Sequence, residues 1–316
     1  MSTTNKLRTV IAIAIAAALT ITLASCSLSG YGKDSNPKTS QWLYSQFKNG
    51  EYIDQYNDGK ADIGVTIESM IQLSGVGYDK SKFNKAIGWL EQNQKLINTP
   101  GLRAEYIFAA RALDFFDDKA VQKSLKELKS VIAADGTVPD TNNFSYCWVI
   151  YGLLAAGEKD LANKVSLVLA NQFESSGGYK YIYGDASSTE AADVTGFVAM
   201  TIKLTTDLGN ETDQSMKTFV AGRAKVWLNK NKIDGDHWTS FNEVDPSGTA
   251  YAAMAYRTWE NDTNSYSEWL KKQVNPKDGG IISPWSDGLS DVFSTSQSIL
   301  AMNNLNFTDI LKQKVK

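Results

Sequence analysis

The stretch "ADIGVTIESMIQLSG", residues 61–75, decides the fold. Its apolar side chains run around nearly the whole circumference of a helix, with Gly64, Ser69, Ser74 and Gly75 set between them. A surface helix keeps a polar face, so a helix that is apolar all round is one buried on every side. Five further segments share the pattern: "GLRAEYIFAARALDFF" (101–116), "NFSYCWVIYGLLAAG" (143–157), "ADVTGFVAMTIKLTT" (192–206), "DPSGTAYAAMAYRTW" (245–259) and "DVFSTSQSILAMNNL" (291–305). Their starts, near 62, 102, 143, 193, 245 and 291, are spaced 40 to 52 residues apart, and a period of that length marks a helical repeat.

Between these segments lie stretches with a single apolar stripe. In "SKFNKAIGWLEQN" (81–93) the stripe is Phe83, Ile87 and Leu90; in "AVQKSLKELKSVI" (120–132) it is Val121, Leu125, Leu128 and Ile132; in "SYSEWLKKQV" (265–274) it is Tyr266, Trp269, Leu270 and Val274. Helical spacing with Lys, Glu and Gln opposite predicts outer helices. "TSQWLYSQFKN" (39–49) reads as the outer helix before the first inner one, and "TDILKQKVK" (308–316) as the last. Alternating buried and half-exposed helices in six pairs predict an all-α (α/α)6 toroid over residues 41–316. An open solenoid is the alternative and would need polar end caps, which the sequence does not show. A membrane-spanning bundle is excluded, because no segment after residue 26 has 18 consecutive apolar residues.

The connections from inner to outer helix are short, as in "GVGYDK" (75–80). Those from outer to inner are long and carry glycine turns, as in "ESSGGYKYIYGDASSTE" (174–190) and "KIDGDHWTSFNEVDPSG" (232–248). All the long ones enter inner helices at their amino termini, so they should crowd one mouth of the ring, and a functional site is expected there.

Ahead of the repeat, "MSTTNKLR" (1–8) supplies Lys6 and Arg8, and an uncharged apolar run follows, which is the order of a secretory signal. Leu23, Ala24, Ser25 and Cys26 then resemble the lipobox of bacterial lipoproteins. That resemblance implies a signal peptide over 1–25, a diacylglyceryl thioether and acylated amino group on Cys26, and a lipid-anchored protein on the extracytoplasmic face of the cell membrane. Residues 26–40 are polar and rich in Ser and Gly, as expected of a tether. Loss of 1–25 removes Lys6 and Arg8 and moves the formal net charge from -3 to -5, which argues against nucleic acid as a partner. With Cys26 acylated, Cys147 is left alone and reads as a buried structural thiol, far in sequence from His237, the single histidine.

The repeat, together with Gln172 before "SSGGYKY", Gln273 before "KDGGIISPW", "ADVTGFVAM" and "SDVFSTSQSILAM", is similar to the alpha/alpha toroids: class II terpene cyclases, protein prenyltransferase beta subunits, complement thioester domains and cobalamin carriers of the intrinsic-factor type. The resemblance covers about residues 40–316 and implies the fold. Activities do not carry over with it. No DxDD cluster stands for the cyclases, and the acidic "DFFDD" (114–118) sits in a short turn at the opposite mouth. One histidine and one distant cysteine do not make a prenyltransferase zinc site, and Cys147 sits in "SYCWV" rather than GCGEQ. No second beta domain is expected with which to grip cobalamin.

Two functions fit what is left. The first is a surface protein that binds a glycan, an apolar small molecule or a protein partner without catalysis or cofactor. Tyr179, Tyr181, Tyr183, Trp238, Asp245 and Trp285 are then the candidate ligand residues, since aromatic faces beside carboxylates suit sugars and apolar groups. The "YKYIY" alternation fits a small hairpin arm as well as a ligand platform. The second is a glycan-cleaving hydrolase or lyase, which needs two carboxylates across a cleft. Asp62, Glu190, Asp193, Asp245 and Asp291 stand at or near inner-helix starts, and Asp193 with Asp291 is the candidate catalytic pair. Aspartate at a helix start is favoured in any case as a cap, so geometry must separate the two functions. No metal is expected, although "DGDHWTSFNEVD" (234–245) has the oxygen donors of a calcium loop.

Overall fold

The computed structural model describes residues 34–240, 243–260 and 263–312. The expected signal peptide over 1–25 and the expected lipid-anchor residue Cys26 lie outside the described residues. No helix among the described residues is long and apolar enough to cross a membrane.

Six helices form the inner layer: α2 (Ile63–Gly75), α4 (Pro100–Ala112), α6 (Asn143–Ala155), α8 (Ala192–Leu204), α10 (Pro246–Tyr256) and α12 (Val292–Met302). Each packs on the next, and α12 packs back on α2, so the ring closes and the open solenoid is ruled out. Six helices cover it: α1 (Pro37–Ser45), α3 (Asn84–Gln92), α5 (Lys119–Val131), α7 (Lys159–Ala170), α9 (Glu211–Lys230) and α11 (Asn264–Lys272). Helix α1 lies on α12 and α2 and so covers the seam between the ends of the repeat. The protein is an all-α (α/α)6 toroid.

Small residues in the buried helices set how closely these pack. A Cβ on Gly152 would fall 2.5 Å from the Ala104 carbonyl oxygen, and one on Gly196 would fall 2.7 Å from the Ala252 amide nitrogen. The α4–α6 and α8–α10 backbones therefore touch directly. This explains why glycine and alanine interleave with large residues in segments that are buried all round.

The carboxy-terminal segment departs from expectation. Residues 308–312 do not lie as an outer helix over an inner pair, and 313–316 lie outside the described residues. Instead α13 (Phe307–Lys312) packs on α2 and α4. Phe307 is fully buried, with its ring 4.9 to 6.2 Å from those of Phe108, Trp148, Tyr151, Phe197 and Tyr251, which come from four inner helices. A helix of six residues is too short to cover an inner pair, whereas one phenylalanine fills the axis of the ring. The toroid is plugged, not hollow.

Three of the long connections form minimal antiparallel hairpins: β1 (Phe47–Lys48) with β2 (Tyr52–Ile53), β3 (Thr239–Ser240) with β4 (Glu243–Val244), and β5 (Ile281–Ile282) with β6 (Ser290–Asp291). A fourth connection, which holds "YKYIY", is drawn together only at the bridge between Lys180 and Glu190. The same lock fastens all four to their inner helices. The threonine four residues after the helix-capping position accepts a backbone N–H from the loop: Thr66 from Ile53 at 2.9 Å, Thr195 from Tyr179 at 2.9 Å, Thr249 from Trp238 at 3.1 Å and Thr295 from Ile281 at 2.8 Å. In α6 the hydroxyl of Tyr146 does this for Val138 at 3.1 Å. Loop ends that would otherwise leave buried amides unpaired are thus held over the amino-terminal mouth.

Candidate active site

The first two turns of all six inner helices converge on this mouth and line two adjoining cavities. One, of about 280 Å³, lies over α2 and α4 and is lined by Asp62, Glu68, Glu105, Phe144, Trp148 and Gln297, among others. The other, of about 460 Å³, lies over α8 and α10 and includes Ser187, Ser240, Asp245, Ser247 and Trp285. Tyr181, Asp193 and Phe293 line both, so together they make one cleft with Asp193 at its middle. The exposed rings of Tyr56, Tyr181, Trp285 and Phe293 edge it.

The aspartates at the mouth divide by what they bind. Asp62 and Asp291 are helix caps: Asp62 Oδ1 accepts the Val65 N–H at 3.0 Å, while Asp291 accepts the Phe293 N–H at 3.0 Å and the Ser294 hydroxyl at 2.7 Å. Asp245 caps α10 through the Ser247 N–H at 2.9 Å and accepts the Ser240 hydroxyl at 2.6 Å. Burial, and secondarily the charge of Asp291, raises its carboxyl above the ordinary value. Asp193 differs because Ala191 occupies the capping position of α8, which leaves Asp193 in the first turn itself. It accepts the adjacent Val194 N–H at 2.7 Å. Burial first, and the charge of Asp245 second, push its carboxyl from 3.8 to about 6.

Two more carboxyls, unnoticed in the sequence, lie on the floor of the smaller cavity. Glu68 and Glu105 are both buried, and the charge of Glu68 bears on Glu105. Tyr251 donates its hydroxyl to Glu68 Oε1 at 2.5 Å, and the Gln297 amide approaches Oε2 at 3.4 Å. Burial raises Glu68 from 4.5 to about 7 despite these donors. Glu105 has no hydrogen-bond partner at Oε1, and burial followed by the charge of Glu68 holds it well above the ordinary carboxyl value. The one available sequence signal was a glutamate within each of two largely apolar segments.

The other candidates fall in several places. Tyr181, Asp245 and Trp285 line the cleft, and Tyr183 is exposed outside the cavity linings. Tyr179 and Trp238, expected at a ligand surface, are instead fully buried under the loops and outside both cavities. Their backbone amides carry the threonine lock, and the Trp238 indole donates to the Leu228 carbonyl at 2.9 Å. Rings this large anchor the loops because they are the apolar mass available there. Glu190 accepts the Trp227 indole N–H at 2.5 Å and the Ser176 hydroxyl, which makes it part of the same scaffold. Asp291 lines neither cavity. Cys147 is buried, and burial holds its thiol far above the ordinary range. His237 is stacked on Trp269 at 4.8 Å and paired with Asp236 at 2.8 Å. Among the described residues no three His, Cys, Asp or Glu side chains are grouped to hold a metal ion.

No protein-family profile and no curated protein matches the sequence. Solved structures do resemble the fold. The unsaturated glucuronyl hydrolase of Bacillus sp. GL1, responsible for degradation of glycosaminoglycan, superposes with a TM-score of 0.58 at 12% identity, over 85% of this chain and 94% of that one. A mutant of the unsaturated glucuronyl hydrolase from Streptococcus agalactiae gives 0.57 at 14% identity, over 84% and 88%. Haptocorrin in complex with Cbi gives 0.58 at 12% identity, over 90% of this chain and 70% of that one. At these identities the shared property is the (α/α)6 fold alone.

Proposed function

We propose that the protein cleaves a glycan by hydrolysis in the cleft at the amino-terminal mouth. The observation that carries this is Asp193. It sits at the centre of the cleft, stands inside the first turn of its helix rather than at the capping position, and holds its proton to about pH 6. Glycoside hydrolysis requires such an acid, with its pKa raised by surroundings, together with a second carboxylate. In the proposed reaction the Asp193 carboxyl gives its proton to the departing glycosidic oxygen. Water then adds its hydroxyl to the anomeric carbon, and its proton passes to Asp62 across the smaller cavity, where the cap bond from the Val65 N–H occupies Oδ1. Tyr181, Trp148, Trp285 and Phe293 would offer apolar faces to sugar rings.

Carboxyls whose pKa is displaced in an open cleft favour turnover over binding alone, and the glycan-degrading structural neighbours favour it too. The same proposal puts the enzyme outside the cell, tethered to the membrane through a lipidated Cys26. The test is release of new reducing ends from a panel of bacterial and host polysaccharides. Asp193→Asn should lower the rate about 10²- to 10⁴-fold, and wild-type activity should decline as pH rises through 6. Binding of a glycan with no product from any of the panel would refute the hydrolase and leave a receptor.

A further inference from the structure

The floor of the smaller cavity gathers buried carboxyls with no cation beside them. Glu68 and Glu105 are 5% and 3% exposed, and no Lys, Arg or His pairs with either among the described residues. Glu105 Oε1 makes no hydrogen bond although it is buried. Asp62 and Asp193 line the same cavity, and no basic side chain lines it or the adjoining one. A buried carboxyl without a partner is driven toward its neutral form, and a cation seated beside it would draw it back to the carboxylate. Here Tyr251 and Gln297 serve Glu68, and nothing serves Glu105. Among the described residues no three His, Cys, Asp or Glu side chains are grouped as a metal ion would need. An organic cation small enough for a cavity of about 280 Å³ would supply what Glu105 lacks. The walls agree with this, since Phe144, Trp148, Tyr181 and Phe293 present aromatic rings to which an ammonium group is attracted.

We infer that this cavity receives a protonated primary amine, carried by an amino sugar whose nitrogen is free rather than acetylated, with the ammonium seated on Glu105 and Glu68. The inference deepens the glycan reading above and rests on it for the sugar, though not for the amine. It also sets this chain apart from the structurally similar glucuronyl hydrolases. A uronate in this cavity would bring its carboxylate against four protein carboxyls and no cation.

Calorimetric titration at pH 7 tests it, with wild type and Glu105→Gln and five probes: a glucosamine tetramer, its fully N-acetylated counterpart, an unsaturated glucuronyl disaccharide, the sugar-free polyamine spermidine, and calcium alone. The expected result is binding of the glucosamine tetramer at least about tenfold tighter than the N-acetylated one, with at least about a tenfold loss in Glu105→Gln. Equal or better binding of the N-acetylated or glucuronyl probe, or competition by calcium at the same site, would overturn the amine and leave the glycan reading standing. Spermidine bound and lost in Glu105→Gln, with no sugar bound, would retain the ammonium site and sink the glycan reading. Failure of both amine probes to bind would overturn the inference outright. Glu105→Gln replaces an unpartnered carboxyl by an amide of the same shape, so its Tm should not fall. If it does, the comparison of free and acetylated tetramers on wild type decides alone.

Discussion

Asp193 and Asp291 look equivalent in the sequence and are not. Asp291 stands four residues before the lock threonine Thr295 and is the cap of α12, whereas Asp193 stands two before Thr195, with Ala191 in the capping place. The offset from the threonine, readable in the sequence once the lock is known, places Asp193 inside the first turn instead of at the cap. Glu68 shows the thermodynamic consequence of burying such groups. Its carboxyl holds a proton to about pH 7 when folded and to about 4.5 otherwise. Above 7 both states are ionised, and the folded state bears the whole cost of the buried charge. As pH falls from 7 to 4.5 the folded state takes up a proton that the unfolded chain does not, so stability rises and is fully gained below 4.5. Asp193 acts in the same direction between about 6 and 3.8. The turn carboxylates Asp79, Asp135 and Asp185 act oppositely. Hydrogen bonds to Ser81, Thr137 and Ser187 hold them below the ordinary value, and their contribution is lost at lower pH still. Denaturant unfolding should therefore show a maximum at mildly acidic pH. Glu68→Gln should gain roughly 1 to 3 kcal/mol over wild type at pH 8 and little at pH 4. A profile that rises from pH 5 to 8 would contradict the buried-acid floor.

The inner helices were legible because burial on every side leaves its mark on each residue, and the outer helices because one stripe suffices to cover a neighbour. The loops were legible in length and direction but not in internal structure. Period and composition say nothing about which amide a hydroxyl will meet, so the threonine lock, present in four repeats with a tyrosine in a fifth, passed unseen. The lock also explains why Tyr179 and Trp238 misled. A ring in a long loop at a mouth suggests a ligand surface, but these two stand where their own backbone is tied down, and they are drawn inward. Thr249→Val keeps the shape of the side chain and removes the acceptor for the buried Trp238 N–H. An unpaired buried amide costs on the order of 1 to 3 kcal/mol. The variant should lose about that much by denaturant midpoint, with faster hydrogen exchange confined to the 238–249 loop. Unchanged exchange there would show that the hydroxyl is incidental.

At the scale of the molecule, closure of the ring leaves an axis that must be filled, and the two ends are filled differently. The amino-terminal end keeps a cleft floored by carboxyls, while toward the carboxy-terminal end Phe307 of α13 fills the axis. The sequence could not reveal this division, because "TDILKQKVK" has the polar composition of any outer helix, and the residue that matters, Phe307, precedes it. Tyr251 joins the two ends. Its ring lies 6.2 Å from that of Phe307, and its hydroxyl donates to Glu68 on the cavity floor. Removing the plug should therefore be felt both in stability and at the site. Phe307→Ala would open a cavity among five aromatic rings from four inner helices, and large-to-small changes in such cores cost about 3 to 5 kcal/mol. Calorimetric unfolding should show that loss as a lowered Tm, and Phe307→Leu, which refills most of the volume, should restore most of it. If the Tyr251 contact to Glu68 depends on the plug, Phe307→Ala should also weaken any ligand held in the α2–α4 cavity, although residue 307 lines neither cavity. A variant with unchanged Tm would mean that α13 merely rests against the ring, and that the inner helices hold their spacing without it.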